Sequence, residues 1–252
     1  MNLTDRLYIS TIDASADRLA ARYGLGLELA EFCTAANLDD NLAEWLPLVE
    51  ARMRSARRFV FHAPFAELYP AAIDPRARQL ALDRLNQAWR RMEALGVRRM
   101  VAHSGFVPNV YFPQWQVARS IEFWREFLRD KPADFRLLIE NVLDDTPDML
   151  RDILRGIDDP RAGACLDIGH AFVASRVPLA EWIDTLRFAL RHAHLHDNDG
   201  SFDQHAPLGA GKIDCLAVLR ALPEDCTLTL ENMDAAPSLE WLRRQGMLQG
   251  RK

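Results

Sequence analysis

Residues 135–170, FRLLIENVLDDTPDMLRDILRGIDDPRAGACLDIGH, read as one strand–helix–strand unit. Phe135 to Glu140 carries the apolar centre Leu137-Leu138-Ile139, and Ala164 to Ile168 forms a second short β-type run. Between them, Pro147 to Ile157 has helical patterning. Short apolar runs of this kind fit parallel strands covered on both faces. The same alternation extends outward in both directions. Upstream lie Leu7 to Thr11, Leu25 to Phe32, Arg58 to His62 and Arg99 to His103; downstream lie His192 to His196 and Thr227 to Glu231. Leu85, Ala88, Trp89, Met92 and Leu95 recur at helical spacing ahead of Gly96, a suitable C-cap, and Leu42, Trp45, Leu46, Val49 and Met53 do so despite Pro47. Further helices are expected over Leu179 to Leu190, Cys215 to Leu222 and Ser238 to Leu242. Eight strands alternating with helices predict a closed α/β barrel, the (β/α)8 TIM barrel; a doubly wound open sheet is the alternative, but seldom has eight regular units.

The chain has 252 residues, 49% hydrophobic and 27% charged, with a formal net charge of −5. That length suits one barrel, and no linker or composition break divides it, so residues 1–252 are expected to form a single domain. No charge-free apolar run approaches the ~18 residues of a membrane span. Asp5 and Arg6 stand where a secretory leader would be apolar, and Cys33, Cys165, Cys215 and Cys226 are scattered without C-x-x-C spacing. A cytoplasmic protein with reduced thiols is the expectation. The acidic balance argues mildly against a general nucleic-acid binder, although bound metal ions would change the sum.

In a barrel of this kind, chemistry collects at the C-terminal ends of the strands. Six successive strands finish with a metal-competent side chain: His62 in FVFHAPF, His103 in MVAHSG, Glu140 in LLIENV, Asp167 in CLDIGH, His194 in HAHLHDN and Glu231 in LTLEN. Loops add His170, Asp203 and His205. A lone strand-end histidine is usually a hydrogen-bonded rim residue, and a lone carboxylate is often a cap or half of an ion pair. Six in succession argue for a divalent metal centre, because buried charges are costly unless paired or metal-bound. Mixed imidazole and carboxylate suit Zn²⁺ or Mn²⁺, with Fe²⁺ the third option. His192, His194 and His196 alternate and point to one side, so the pattern does not choose among them.

The order and wording of these motifs, from His62 to Glu231, resemble the xylose-isomerase-like TIM-barrel superfamily, which includes sugar-phosphate isomerases and epimerases as well as endonuclease IV. The epimerase branch implies one divalent ion held by Glu140, Asp167, His194 and Glu231. There Glu140 and Glu231 move protons on opposite faces of the substrate and His170 contacts its oxygens. The endonuclease branch implies three zinc ions acting on abasic DNA. His62, His103 and Glu140 would hold one; Glu140 would bridge to a second on Asp167, His194 and Glu231; His170, Asp203 and His205 would hold a third. The Arg that epimerases usually carry near the Asp203 and His205 segment is missing.

Three readings follow. The leading one is a metal-dependent isomerase or epimerase for a sugar or sugar phosphate; the rivals are an endonuclease IV-like phosphodiesterase and a catalytically silent metal-binding barrel. Phe65 could wedge into DNA or roof a small pocket. The stretch Ser104 to Gln116 reads as a loop with Phe106, Tyr111, Phe112 and Trp115 but no basic residue, which suits a sugar pocket as well as stacking. GAGKID, with Lys212, lies where barrels often bind phosphate, or is simply a tight turn. Asn141 and Asn232 each follow a ligand-type glutamate and are expected to orient it. Four ligand carboxylates would leave the mouth near −2 with one divalent ion and near +2 with three, about the difference between a neutral-sugar site and a phosphate site.

Overall fold

Eight strands hydrogen-bond in sequence order, and the first pairs back onto the last, all parallel, in a computed structural model that describes residues 2–249. They are β1 (Leu7–Ser10), β2 (Gly26–Leu29), β3 (Phe59–His62), β4 (Arg99–His103), β5 (Arg136–Glu140), β6 (Ala162–Asp167), β7 (Leu190–Leu195) and β8 (Thr227–Leu230). Around them run α1 (Ala16–Tyr23), α2 (Ala35–Leu38), α3 (Leu42–Met53), α4 (Pro75–Ala94), α5 (Pro113–Leu128), α6 (Asp148–Ile157), α7 (Ile168–Ala174), α8 (Leu179–Leu186), α9 (Cys215–Ala221) and α10 (Ala236–Arg244). No described helix is long and apolar enough to cross a membrane.

The elements follow from local chemistry. Asp74 accepts from Arg76 N to cap α4, and Gly96, at φ 73°, ends the turn beyond it. Leu25 to Phe32 is shorter than expected: β2 covers Gly26–Leu29, and Glu31–Cys33 turns as a 3₁₀ segment. Leu179 to Leu190 is also split, since α8 stops at Leu186 and Leu190 already pairs with Ala164 in the sheet. Asp167 ends β6 and caps α7 by accepting from His170 N, which makes Ile168 helical. The expected loop Ser104 to Gln116 closes early because Pro113 opens α5. The inward face of α5 mixes buried Gln116 and Ser120 with Phe123, Trp124 and Phe127. Those two polar residues mask the apolar period; Gln116 Nε2 donates to Ser104 O and to Ser120 Oγ.

Inside the barrel, Tyr8, Val60, Val101, Leu138 and Cys165 form an apolar cluster, separate from the larger core between sheet and helices. The next inward positions on β3, β4, β5, β6 and β7 are His62, His103, Glu140, Asp167 and His194, so the polar centre rests on this cluster. The opposite, N-terminal end is basic. Arg6, Arg58, Arg99, Arg136, Arg161 and Arg191 stand at or near strand starts and donate to backbone carbonyls, for example Arg6 to Cys226 O at 3.0 Å and Arg136 to Ala133 O at 2.7 Å. Arg22, Arg91, Arg125, Arg155 and Arg220 lie in the last turns of helices, where a cation complements the helix dipole.

The Tyr8 ring occupies the space beside Gly26 on the neighbouring strand. A Cβ at Gly26 would lie 2.2 Å from Tyr8 Cδ1, whose ring packs with Val60, Val101, Leu138 and Cys165 inside the closed barrel. Gly26→Ala should therefore destabilise the fold by about 1–3 kcal/mol, read as a lower urea midpoint at unchanged slope. A midpoint equal to wild type would show that the ring can move.

Candidate metal centre

Glu140, at the end of β5, is the hub. Its Oε2 lies 3.4 Å from both His62 Nε2 on β3 and His103 Nε2 on β4. That oxygen is buried and has no hydrogen-bond partner. Donors sharing one tetrahedral Zn²⁺ with bonds of 2.0–2.2 Å stand roughly 3.3 Å apart, so the spacing fits an ion better than direct hydrogen bonds. His62 Nδ1 donates to Ala63 O at 2.9 Å, which leaves Nε2 with the lone pair.

A second group shares the other oxygen of Glu140. His194 Nδ1 is 3.1 Å from Glu140 Oε1, 3.0 Å from Glu231 Oε2 and 3.7 Å from Asp167 Oδ2. One donor atom from each of these four residues lies within 4.8 Å of the others. Glu231 Oε2 also lacks a hydrogen-bond partner.

The start of α7, His196 and the loop after β7 build a third group, in which His170, His196, Asp203 and His205 each offer an atom within 4.8 Å of the others. Asp203 Oδ2 is 3.2 Å from His170 Nε2 and 2.9 Å from His205 Nε2. Both imidazoles are oriented from behind: His170 Nδ1 donates to Asn141 O at 3.0 Å and His205 Nδ1 to Glu231 O at 2.8 Å. Three histidines on three different elements thus turn Nε2 inward by the same device. His205 adopts φ 46°, a left-handed backbone uncommon outside glycine, at the place where its ring enters the cluster.

The expected site residues sort clearly. His62, His103, Glu140, Asp167, His170, His194, Asp203, His205 and Glu231 converge in three linked groups. Of the alternating histidines, His194 reaches the tetrad, His196 joins the third group, and His192 groups with Cys165 and His194. His192 lies deeper against Thr227, Thr229 and Glu28, while His196 Nε2 sits 3.0 Å from Asp167 Oδ2 and its Nδ1 3.6 Å from Asp203 Oδ1. His196 fills the space next to Gly169, where a Cβ would lie 1.9 Å from its Cε1. Asn141 exchanges two hydrogen bonds with the Asp167 backbone, and Asn232 Nδ2 donates to the carbonyls of His205 and Ala206. Both therefore orient donors, but of the neighbouring segment rather than the glutamate each follows. Sequence reasoning missed Glu28, fully buried between His192 and His194. The signal was available: a carboxylate alternating inward within GLEL.

Around the mouth, Phe65 stacks on His103 with centroids 4.4 Å apart and remains 41% exposed, which suits a roof. Trp115 spends its indole N–H on Ala71 O, and Tyr111 lines a groove of about 1290 Å³ between the β4–α5 loop and α6. Neither makes a hydrogen bond or ring contact with a donor residue, and none of the nine donors lines that groove, so the donors rather than this groove locate the chemistry. In GAGKID, Gly209, Gly211 and Ile213 donate their backbone N–H to the buried carboxylate of Asp197. A phosphate there would meet only the exposed Lys212, not a cradle of amides.

Electrostatics tie the groups together. Burial alone would raise the Glu140 carboxyl, but His194 and His103 hold it well below the usual range. Burial lowers His103 to about 4 against the pull of Glu140. For His205, burial is outweighed by Asp203 and Glu231, which push it up to about 9. In chelated protein the His205 contribution to stability is full below about pH 6.5, its unfolded pKa, and is lost as pH rises through 9. The urea midpoint of chelated wild type should accordingly fall over that window, and fall less in His205→Ala. Parallel profiles for the two proteins would refute the pairing.

A family profile described as xylose isomerase-like TIM barrel matches residues 18–245. The TTHB071 protein from Thermus thermophilus, solved after soaking with ZnCl2, is 33% identical, with TM-score 0.75 over 95% of this chain and 96% of that one. A D-tagatose 3-epimerase-like protein is 24% identical at TM-score 0.76, covering 96% of each chain. Endonuclease IV from Thermus thermophilus is 21% identical at TM-score 0.64, covering 95% of this chain and 97% of that one. The closed eight-stranded barrel, its strand-end donors and the span of the match make this chain a member of the xylose isomerase-like TIM-barrel family.

Proposed function

We propose that the protein is a divalent-metal-dependent isomerase or epimerase acting on a small neutral sugar, with Glu140 and Glu231 as its proton-moving groups. The observation that carries this reading is the buried tetrad Glu140, Asp167, His194 and Glu231, whose two glutamates arrive from β5 and from the end of β8. The orphaned oxygens of Glu140 and Glu231 and the donor spacings fit an ion, and the donor types suit Zn²⁺ or Mn²⁺. An ion in the tetrad supplies Lewis-acid polarisation of a substrate carbonyl. One glutamate then removes the proton from the carbon beside that carbonyl and the other returns it. His170 and His205, held with Nε2 inward, face substrate hydroxyls, and Phe65 covers the sugar from above.

The mouth favours a neutral substrate. The segments leading from strand ends into the following helices contain Lys212 as their only Lys or Arg; Arg176, between α7 and α8, is paired with Asp145. Carboxylates recur along the same segments, from Asp13 and Glu31 to Asp203 and Asp234. A phosphodiester backbone would find little to track there.

One observation supports a second reading, an endonuclease IV-like phosphodiesterase on abasic DNA: the third donor group of His170, Asp203 and His205. Counting Glu28, five carboxylates belong to the cluster. Three divalent ions would turn their charge to about +1, whereas one would leave about −3.

Protein loaded with Mn²⁺ or Zn²⁺ should incorporate solvent deuterium into at least one member of a ketose panel. Glu140→Gln and Glu231→Gln should each reduce this at least ~10²-fold while the circular dichroism spectrum is retained. Incision of an abasic duplex with no exchange into any ketose would replace the first reading with the second. Absence of any tightly held transition metal after dialysis against Zn²⁺ would remove both.

A further inference from the structure

β2 places one carboxylate inside the barrel that the reactions above do not use. Glu28 is fully buried, directly beneath the metal-competent groups. Its Oε2 accepts from Thr229 Oγ1 at 2.7 Å and lies 3.1 Å from His192 Nε2. The same Oε2 accepts from His194 Nε2 at 3.2 Å, while Oε1 lies 3.0 Å from that nitrogen without a hydrogen bond. The other nitrogen of the same ring, His194 Nδ1, is the one facing Glu140, Glu231 and Asp167.

A neutral imidazole has one N–H and one lone pair, and the partner of one nitrogen decides which is which. A carboxylate accepts but cannot donate while ionised, so it keeps the proton on the nitrogen it faces. We propose that Glu28 is a positioning residue for the metal centre: it holds His194 as the Nε2–H form, with Nδ1 offered to the shared ion, and so sets the affinity of the tetrad. Thr229 completes the device by occupying Oε2, which fixes the carboxylate plane. The inference rests on the metal-binding reading above. Glu28 also lies close enough to His62 and Glu231 to form a donor trio with them. Its hydrogen bonds to Thr229, His192 and His194 all converge on Oε2, the orienting oxygen, whereas Oε1 has no hydrogen-bond partner, and ligation through Oε1 is the alternative that the test separates.

The test compares wild type, Glu28→Gln, Glu28→Leu and Thr229→Val by equilibrium dialysis against Zn²⁺, with elemental analysis at saturation. Circular dichroism and urea midpoints of the chelated proteins control for folding. Both Glu28 variants should bind 10–100-fold more weakly than wild type at unchanged maximum stoichiometry, and Thr229→Val should weaken binding by a smaller factor. In ¹⁵N spectra of the zinc-loaded proteins, His194 should carry its proton on Nε2 in wild type and lose that single form in Glu28→Leu. A purely structural role would leave that signature in place and overturn the proposal. Affinities within twofold of wild type in both Glu28 variants would overturn it too. So would loss of one whole ion with the remaining ions bound at wild-type strength, which would make Glu28 a ligand. Wild type that holds no zinc would bring down the metal reading itself, an outcome distinct from these.

Discussion

Glu140 is 1% exposed, and its two oxygens face four histidines drawn from β3, β4, β7 and the first turn of α7. A carboxylate so placed is costly unless positive charge accompanies it. Protons on the surrounding imidazoles supply that charge in one state of the molecule, and a divalent ion can supply it in another. The remaining features of the mouth serve this exchange. Backbone carbonyls turn His62, His170 and His205 inward, Asn141 locks the β6 end beside β5, and Gly169 leaves room for His196. The apolar cluster beneath, from Tyr8 to Cys165, keeps water from reaching the buried carboxylates from below.

The two functional readings differ in how much of this charge is exchanged. An isomerase needs the tetrad and a mouth that tolerates negative charge; a phosphodiesterase needs all three donor groups filled. The cation-poor loops and the complete third group pull in opposite directions. The two proposed readings share these nine residues and differ in how many ions they would have them hold.

Most of the fold was legible because a barrel strand announces itself twice, by a short apolar run and by an abrupt polar end. All eight strands lie where short β-type runs were read, and six of them also end on a metal-competent side chain; boundaries are displaced by a few residues, as at Phe32, Ala162 and Leu190. The α5 helix was not legible because Gln116 and Ser120 occupy its buried face, where Gln116 Nε2 donates to Ser120 Oγ and to Ser104 O. The nine residues that converge at the mouth could be picked out from strand ends and the loops after them. Their partners were harder, since Glu28 belongs with His194 across 166 residues of sequence and nothing local relates them. The choice among His192, His194 and His196 depended on depth along one strand, a coordinate that a period-two pattern does not contain.

The arginine-lined end of the barrel acquires a meaning once the mouth is known to be acidic. Helices run with their C-termini toward the arginines and their N-termini, capped by Asp74, Asp167 and Asp214, toward the mouth. Fixed charge and helix dipole thus compensate each other locally while charges of opposite sign gather at the two ends of one axis. A molecule polarised in this way does not meet a charged surface in random orientation. The field of such a charge distribution draws anions toward the floor and cations toward the mouth, the end where the carboxylates gather.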